Sequence, residues 1–217
     1  MQLITTSYLA QVTRLPQTGR HIVAQYDANS IVVYQAYRPA IANFAVQQGY
    51  FGGEFRLNRM SWIKPNFLWM MYRAGWATKP GQEHILAIRI QRAAFDTILA
   101  AAVHAKYIPE LYGSPAAWKQ TLSRSLVRLQ WDPDRHPLYN RLERRAIQLG
   151  LRGEILAKYA QKWIVSIEDI SEFVHQQYQW VQARDWQNLI VPQETVYPVQ
   201  DRAIAQHLQL SAVDTPT

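Results

Sequence analysis

Four apolar stretches of this chain each carry a polar side chain where an apolar one would fit. Gln35 lies inside IVVYQAY (31–37) and Lys64 ends MSWIK (60–64). Arg128 and Gln130 alternate with Val127, Leu129 and Trp131, and Gln148 lies inside RAIQLGL (145–151). A buried polar group without a partner costs about 1–3 kcal/mol. Taken singly, each is an outward-facing residue of a half-exposed strand. Taken together, they point to a shared polar cleft. An amide donates and accepts hydrogen bonds but is no general base. Tyr34, Tyr37, Trp62 or Tyr72 would stack on a base or a nicotinamide ring. Lys64, Arg38, Arg128 and Arg135 would hold phosphate. The expected nucleotide contacts are Tyr34, Gln35, Trp62, Lys64 and Tyr72. The expected phosphate contacts are Arg38, Arg128 and Arg135, and Gln148 is a further expected polar group of the cleft. Strand faces stay open at this stage, since a one-residue slip inverts every assignment.

Other chemistries lack their residues. No G-x-x-x-x-G-K-[ST], no G-x-G-x-x-G after a strand, no G-x-S-x-G and no H-E-x-x-H occurs. Without cysteine there is no disulfide, no thiolate zinc site and no cysteine nucleophile. The six histidines are dispersed with no ligand-like pair, so no metal is expected. Asp132, Asp134 and His136 fall in DPDRHP, which reads as an acid–base cluster or, by composition, as a polar turn with Asx capping.

The elements that must position these residues follow from the pattern. The densest aromatic run, RMSWIKPNFLWMMYRAGW (59–76), reads as a short strand turning directly into a helix. Pro65 suits the first turn and Gly75 the stop. Residues 31–37 form the clearest strand, and Pro39 opens a helix that Gly49 closes. Residues 84–91 are apolar on both faces and form an inner strand. A helix is expected over 92–104, and Ser114-Pro115 starts another. Strands are expected over 126–131, 144–151 and 163–167, with helices over 153–162 and from Asp169 or Ser171 to about 184. The irregular order of strands and helices predicts an α+β fold, one domain with a mixed or antiparallel sheet flanked by helices. Residues 1–19 read as an arm, 20–198 as the globular domain and 199–217 as a tail.

A chain of 217 residues with 48% hydrophobic content supports one full core. The net charge of +7 comes from scattered Lys and Arg with no run of five, which predicts a folded surface with a positive groove for a polyanion. The longest apolar candidate, 85–103, is broken by Arg89, Gln91, Arg92 and Asp96, well short of the ~20 residues that span a bilayer. With no basic-then-apolar start either, a cytoplasmic protein away from membranes is expected.

The blocks IVVYQAY, RMSWIKPNFLWMMYRAGWATKPGQE, VRLQWDPDR and RAIQLGL…KWIVSIEDI together resemble the domain-of-unknown-function 4291 family over roughly residues 20–198. A looser similarity is one of layout. ADP-ribosyltransferase-like domains open with a strand whose His or Arg faces NAD, followed by a helix ending in Gly; residues 34–37 and 39–49 look like that. MSWIKP before NFLWMMY is similar to the next strand–helix pair, and RRAIQLGL sits where a strand with a catalytic Glu belongs. Gln35 stands in place of His or Arg, and Gln148 or a neighbour in place of Glu, so the resemblance implies that Gln148 is the polar group beside the reacting ribose. The resemblance implies a nucleotide-binding protein, with NAD or ADP-ribose as ligand, that transfers ADP-ribose or processes nucleic acid. The alternative is a non-enzymatic RNA- or DNA-binding module with a basic, aromatic-lined groove.

Overall fold

The computed structural model describes residues 3–212; residues 1–2 of the expected arm and 213–217 of the expected tail lie outside them. The chain begins β1 (Thr5–Ser7), α1 (Tyr8–Arg14), β2 (Val23–Ala24), β3 (Ser30–Tyr37), α2 (Pro39–Gln48), β4 (Ser61–Ile63) and α3 (Phe67–Ala74). It continues β5 (His84–Gln91), α4 (Arg92–Ala100), β6 (Ala102–His104), α5 (Pro109–Tyr112), α6 (Pro115–Arg124), β7 (Val127–Arg135) and β8 (Arg141–Leu151). It ends α7 (Gly153–Gln161), β9 (Ile164–Asp169), α8 (Ser171–Ala183), β10 (Ile190–Pro192), β11 (Thr195–Val196) and α9 (Arg202–His207). The fold is α+β, with mixed and antiparallel sheets.

Two sheets carry the architecture. One has the order β3-β5-β9 and is antiparallel throughout; the other has the order β4-β8-β7-β6, with only β6–β7 parallel. They meet where Tyr34 and Lys64 exchange backbone hydrogen bonds of 2.7 and 3.2 Å. β5 is the inner strand its two apolar faces predict. Ile31, Val33, Leu86 and Ile88 join one hydrophobic core, while Val32, Tyr34, Ile85 and Ala87 join another. The second sheet is different. Ile63, Leu129, Ile147 and Leu149 face the first core, and the alternate positions, Trp62, Gln130 and Gln148 among them, present a polar face.

Local sequence differs from its expected structure at three places. Pro65, expected in the first turn of α3, lies before its N-cap, Asn66. The expected helix over 92–104 ends at Ala100, and 102–104 adds to β7 as a parallel strand. β6 stops at His104, which leaves β7 an open edge beyond that point. There the strand runs on through Asp132 and Pro133 to Arg135, in place of the expected polar loop. Proline is tolerated at such an edge, and the register shifts between Pro133 and Arg135, as at a β-bulge.

The terminal segments pack on the domain. β1 pairs with β10, and Tyr8, Gln11 and Leu15 are buried. Leu208, just after α9, is fully buried in the first core. Among the described residues no helix is long and apolar enough to cross a membrane.

Candidate functional site

The polar face of the second sheet is the floor of a cleft of about 740 Å³. Its walls are the end of β3, residues 59–60 and the outer turn of α3. The register explains the floor. Gln130 lies directly opposite Gln148; Asp132 lies two positions after Gln130, and Trp62 lies opposite Gly150, two positions after Gln148, all on the same face. Asp132 is the focus. Its Oδ2 accepts from Gln148 Nε2 at 2.8 Å, and its Oδ1 accepts from Gln130 Nε2 at 3.0 Å.

Lys64 is almost completely buried, and its ammonium donates to the Trp62 carbonyl at 3.2 Å. Burial, reinforced by Arg73 and opposed by Asp132, pushes this lysine down to about 7. Trp62 owes its place to Gly150. A Cβ there would lie 3.0 Å from two indole atoms and 2.7 Å from Met60 Sδ, so the ring lies directly against the backbone of β8.

Gln35 is held on every side. Its amide nitrogen donates to Ser61 Oγ at 2.8 Å and to the Trp62 carbonyl at 3.2 Å, and its oxygen accepts from Tyr159 at 2.7 Å. It fastens β3 to β4 and α7, and so builds the wall of the cleft. α3 is fixed at its start by Asn66, whose Oδ1 accepts from the Trp69 N–H at 2.7 Å. Buried Glu194 accepts from the Phe67 N–H at 2.8 Å. Burial raises this carboxyl well above its usual range, and Asp134 adds to that effect, against the pull of the Phe67 N–H and Arg144.

Held in this way, α3 turns Trp69, Tyr72 and Arg73 to the cleft. Trp69 and Tyr72 stack with centroids 5.1 Å apart. The Arg135 guanidinium lies 3.9 Å from the Tyr72 ring centre and donates to the Tyr139 carbonyl at 3.0 Å. The bulge in β7 brings Arg135 into the cleft. Strict alternation after Asp132 would have brought Asp134, which is instead buried against Arg144 at 2.7 Å.

The lining therefore combines four cationic side chains, Arg59, Lys64, Arg73 and Arg135, with a single carboxylate, Asp132. Two buried donors of its wall, Trp69 Nε1 and Arg135 Nε, have no hydrogen-bond partner among the described residues. The excess of cations attracts an anion.

Of the residues expected from the sequence, Gln35, Trp62, Lys64, Tyr72, Arg135 and Gln148 all line this cleft. Three others lie elsewhere. Tyr34 is fully buried in the second core, edge-on to Phe67 at 5.6 Å. Arg38 lines a neighbouring hollow and pairs with Glu54 at the surface. Arg128 shares the polar face, opposite Gly150, but does not line the cleft, and its buried Nε has no partner among the described residues. Asp132, Asp134 and His136 do not converge, since His136 belongs to a separate small cavity beside α1. Asp132, expected only in an acid–base cluster or a turn, joins the cleft instead, and its place two positions after Gln130 is the available signal; Arg59 and Arg73 of the lining lie outside the expected set altogether.

The model of the family described as domain of unknown function (DUF4291) matches residues 21–197. The chain belongs to that family. Every cleft-lining residue of this DUF4291 protein falls inside the matched segment. Comparison with curated proteins finds no match.

Proposed function

We propose that the cleft binds a nucleotide carrying a pyrophosphate, NAD or ADP-ribose, and that the protein is a divergent ADP-ribosyl-transferring enzyme with a nucleic-acid or other nucleophilic acceptor. The observation that carries this reading is the charge asymmetry of the lining: four cations with one carboxylate, beside indole and phenol rings. Arg73 and Arg135 hold phosphate oxygens, with Lys64 beneath them. Trp62 stacks on a planar ring, because one face of Tyr72 is already taken by Arg135. Gln148 serves the ribose as a hydrogen-bonding group and not as a general base. The resemblance in order of elements to ADP-ribosyltransferase-like domains, read from the sequence alone, points the same way.

Thermal unfolding with NAD, ADP-ribose, ATP and short RNA tests it. A ligand at ~100 times its dissociation constant adds about 2.7 kcal/mol. The expected result is a shift with NAD or ADP-ribose that disappears in Arg135→Ala. Absence of a shift with any nucleotide sinks the reading.

A second reading has its own observation. The neighbouring hollow, of about 450 Å³, shares Tyr37, Arg59, Met60 and Ser61 with the cleft and adds Arg38, paired with Glu54, and Arg56. The two together make a longer basic track that suits a nucleic-acid strand. A shift with RNA alone favours a binding module without transferase activity.

A further inference from the structure

Among the cationic groups of the cleft, one patch has the opposite character. Asp132 presents two carboxylate oxygens, and each already takes one amide hydrogen. A carboxylate has about four lone-pair sites, so acceptor capacity remains. Gln130 and Gln148 spend an amide hydrogen on Asp132, and each keeps an amide oxygen as a further acceptor. Gln148 is buried, which fixes its amide, and the pairing of Gln130 with Gln148 fixes both relative to Asp132. The patch is therefore a preorganised, acceptor-rich array. It repels phosphate and calls for an uncharged group with several donors. A ligand suited to the whole cleft has phosphates at one end and hydroxyls close by.

We infer that Asp132, positioned by Gln148 and Gln130, reads the ribose hydroxyls, so that the cleft selects ribonucleotides over deoxyribonucleotides. This rests on the nucleotide reading above and narrows its substrate class. A carboxylate accepting from the 2′-hydroxyl loses that bond when the hydroxyl is absent, and a charged hydrogen bond of this kind corresponds to roughly a ten- to hundredfold change in affinity. The amides are positioning residues. Without Gln148, Asp132 keeps its charge but not its aim.

Calorimetric titration of the full chain with ADP, 2′-deoxy-ADP and inosine diphosphate tests the inference. The wild type is expected to bind ADP at least ~10-fold tighter than 2′-deoxy-ADP. Asp132→Asn is expected to bring the two dissociation constants together, with 2′-deoxy-ADP binding no weaker than to the wild type. Gln148→Ala, which retains the carboxylate, is expected to fall between them and serves should the Asn variant fold poorly. Equal binding of ADP and 2′-deoxy-ADP by the wild type overturns the inference and leaves the nucleotide site standing. So does a preference unchanged in both variants. Loss of affinity for inosine diphosphate with no penalty for 2′-deoxy-ADP also overturns it, because the array would then read the base amine. If none of the three diphosphates binds, the nucleotide reading and this inference fall together.

Discussion

Lys64 joins stability to binding in a single side chain. The ammonium is buried without a carboxylate bonded to it, and Arg73 repels it. In the unfolded chain this amine holds its proton up to 10.5, and in the folded protein only up to about 7. Between those values the unfolded state binds more protons, so wild-type stability rises with pH across that window. Lys64→Met removes the rise. At pH 7 and below it should stabilise the protein by roughly 2–4 kcal/mol, read as the difference in urea midpoints at pH 6.5 and 10. Equal pH profiles for the two proteins would contradict this account of Lys64. Binding has the reverse dependence. An anion in the cleft favours the ammonium form, so association takes up a proton, and affinity for ADP should decline as pH rises above about 7. Titrations in two buffers of different ionisation enthalpy should report that uptake, and Lys64→Met should abolish it.

At the scale of elements, two junctions aim the cleft. The first is the start of α3, where Glu194 and Asn66 serve the helix N–H groups. Burial raises the Glu194 carboxyl, so its contribution is fully present below 4.5 and declines as pH rises from there. Glu194→Gln should therefore gain on the wild type steadily above that pH. Glu194→Ala also removes the acceptor from the Phe67 N–H and should lie about 1–3 kcal/mol below Glu194→Gln at every pH. Chemical denaturation from pH 4 to 8 separates the two variants, and a Gln variant that loses stability with rising pH as the wild type does would refute the assignment. The second junction is Gly150 beneath Trp62. Gly150→Ala pushes against the indole and Met60. It should weaken nucleotide binding about tenfold or more while the fold persists; unchanged affinity would show that Trp62 does not stack on the ligand.

Much of this arrangement is legible in the sequence. Strand β3, the turn from β4 into α3, and the alternation in β7 and β8 follow from β-branched runs, Pro and Gly placement and period-two polarity. Six site residues converge because polar residues in apolar strands need a common polar place. Two things are not legible there. The face of Tyr34 depends on a parity that a single strand does not reveal, and its neighbour Gln35 has the cleft side. The phase of β7 changes at a bulge, which brings Arg135 to the cleft and sends Asp134 to an ion pair with Arg144. A bulge of this kind is set by pairing with β8 and leaves no mark in DPDR itself.

For the whole molecule, the net charge of +7 sets the approach of ligands, and the cleft with its neighbouring hollow sets where they land. If a nucleic-acid strand lies along that track, about four phosphate contacts give a log–log salt slope of roughly −3. Arg59→Ala, which serves both hollows, should reduce the slope by about 0.7; filter binding from about 50 to 200 mM salt measures both. A slope near zero would remove nucleic acid from the account. The central claim is that one cleft takes phosphate on its cations and ribose on Asp132. A crystal structure of the protein with ADP-ribose tests it most directly. The account predicts the pyrophosphate between Arg73 and Arg135, a ring against Trp62, and a ribose hydroxyl within hydrogen-bond reach of Asp132. A ligand bound elsewhere, or one whose phosphates lie against Asp132, would contradict it.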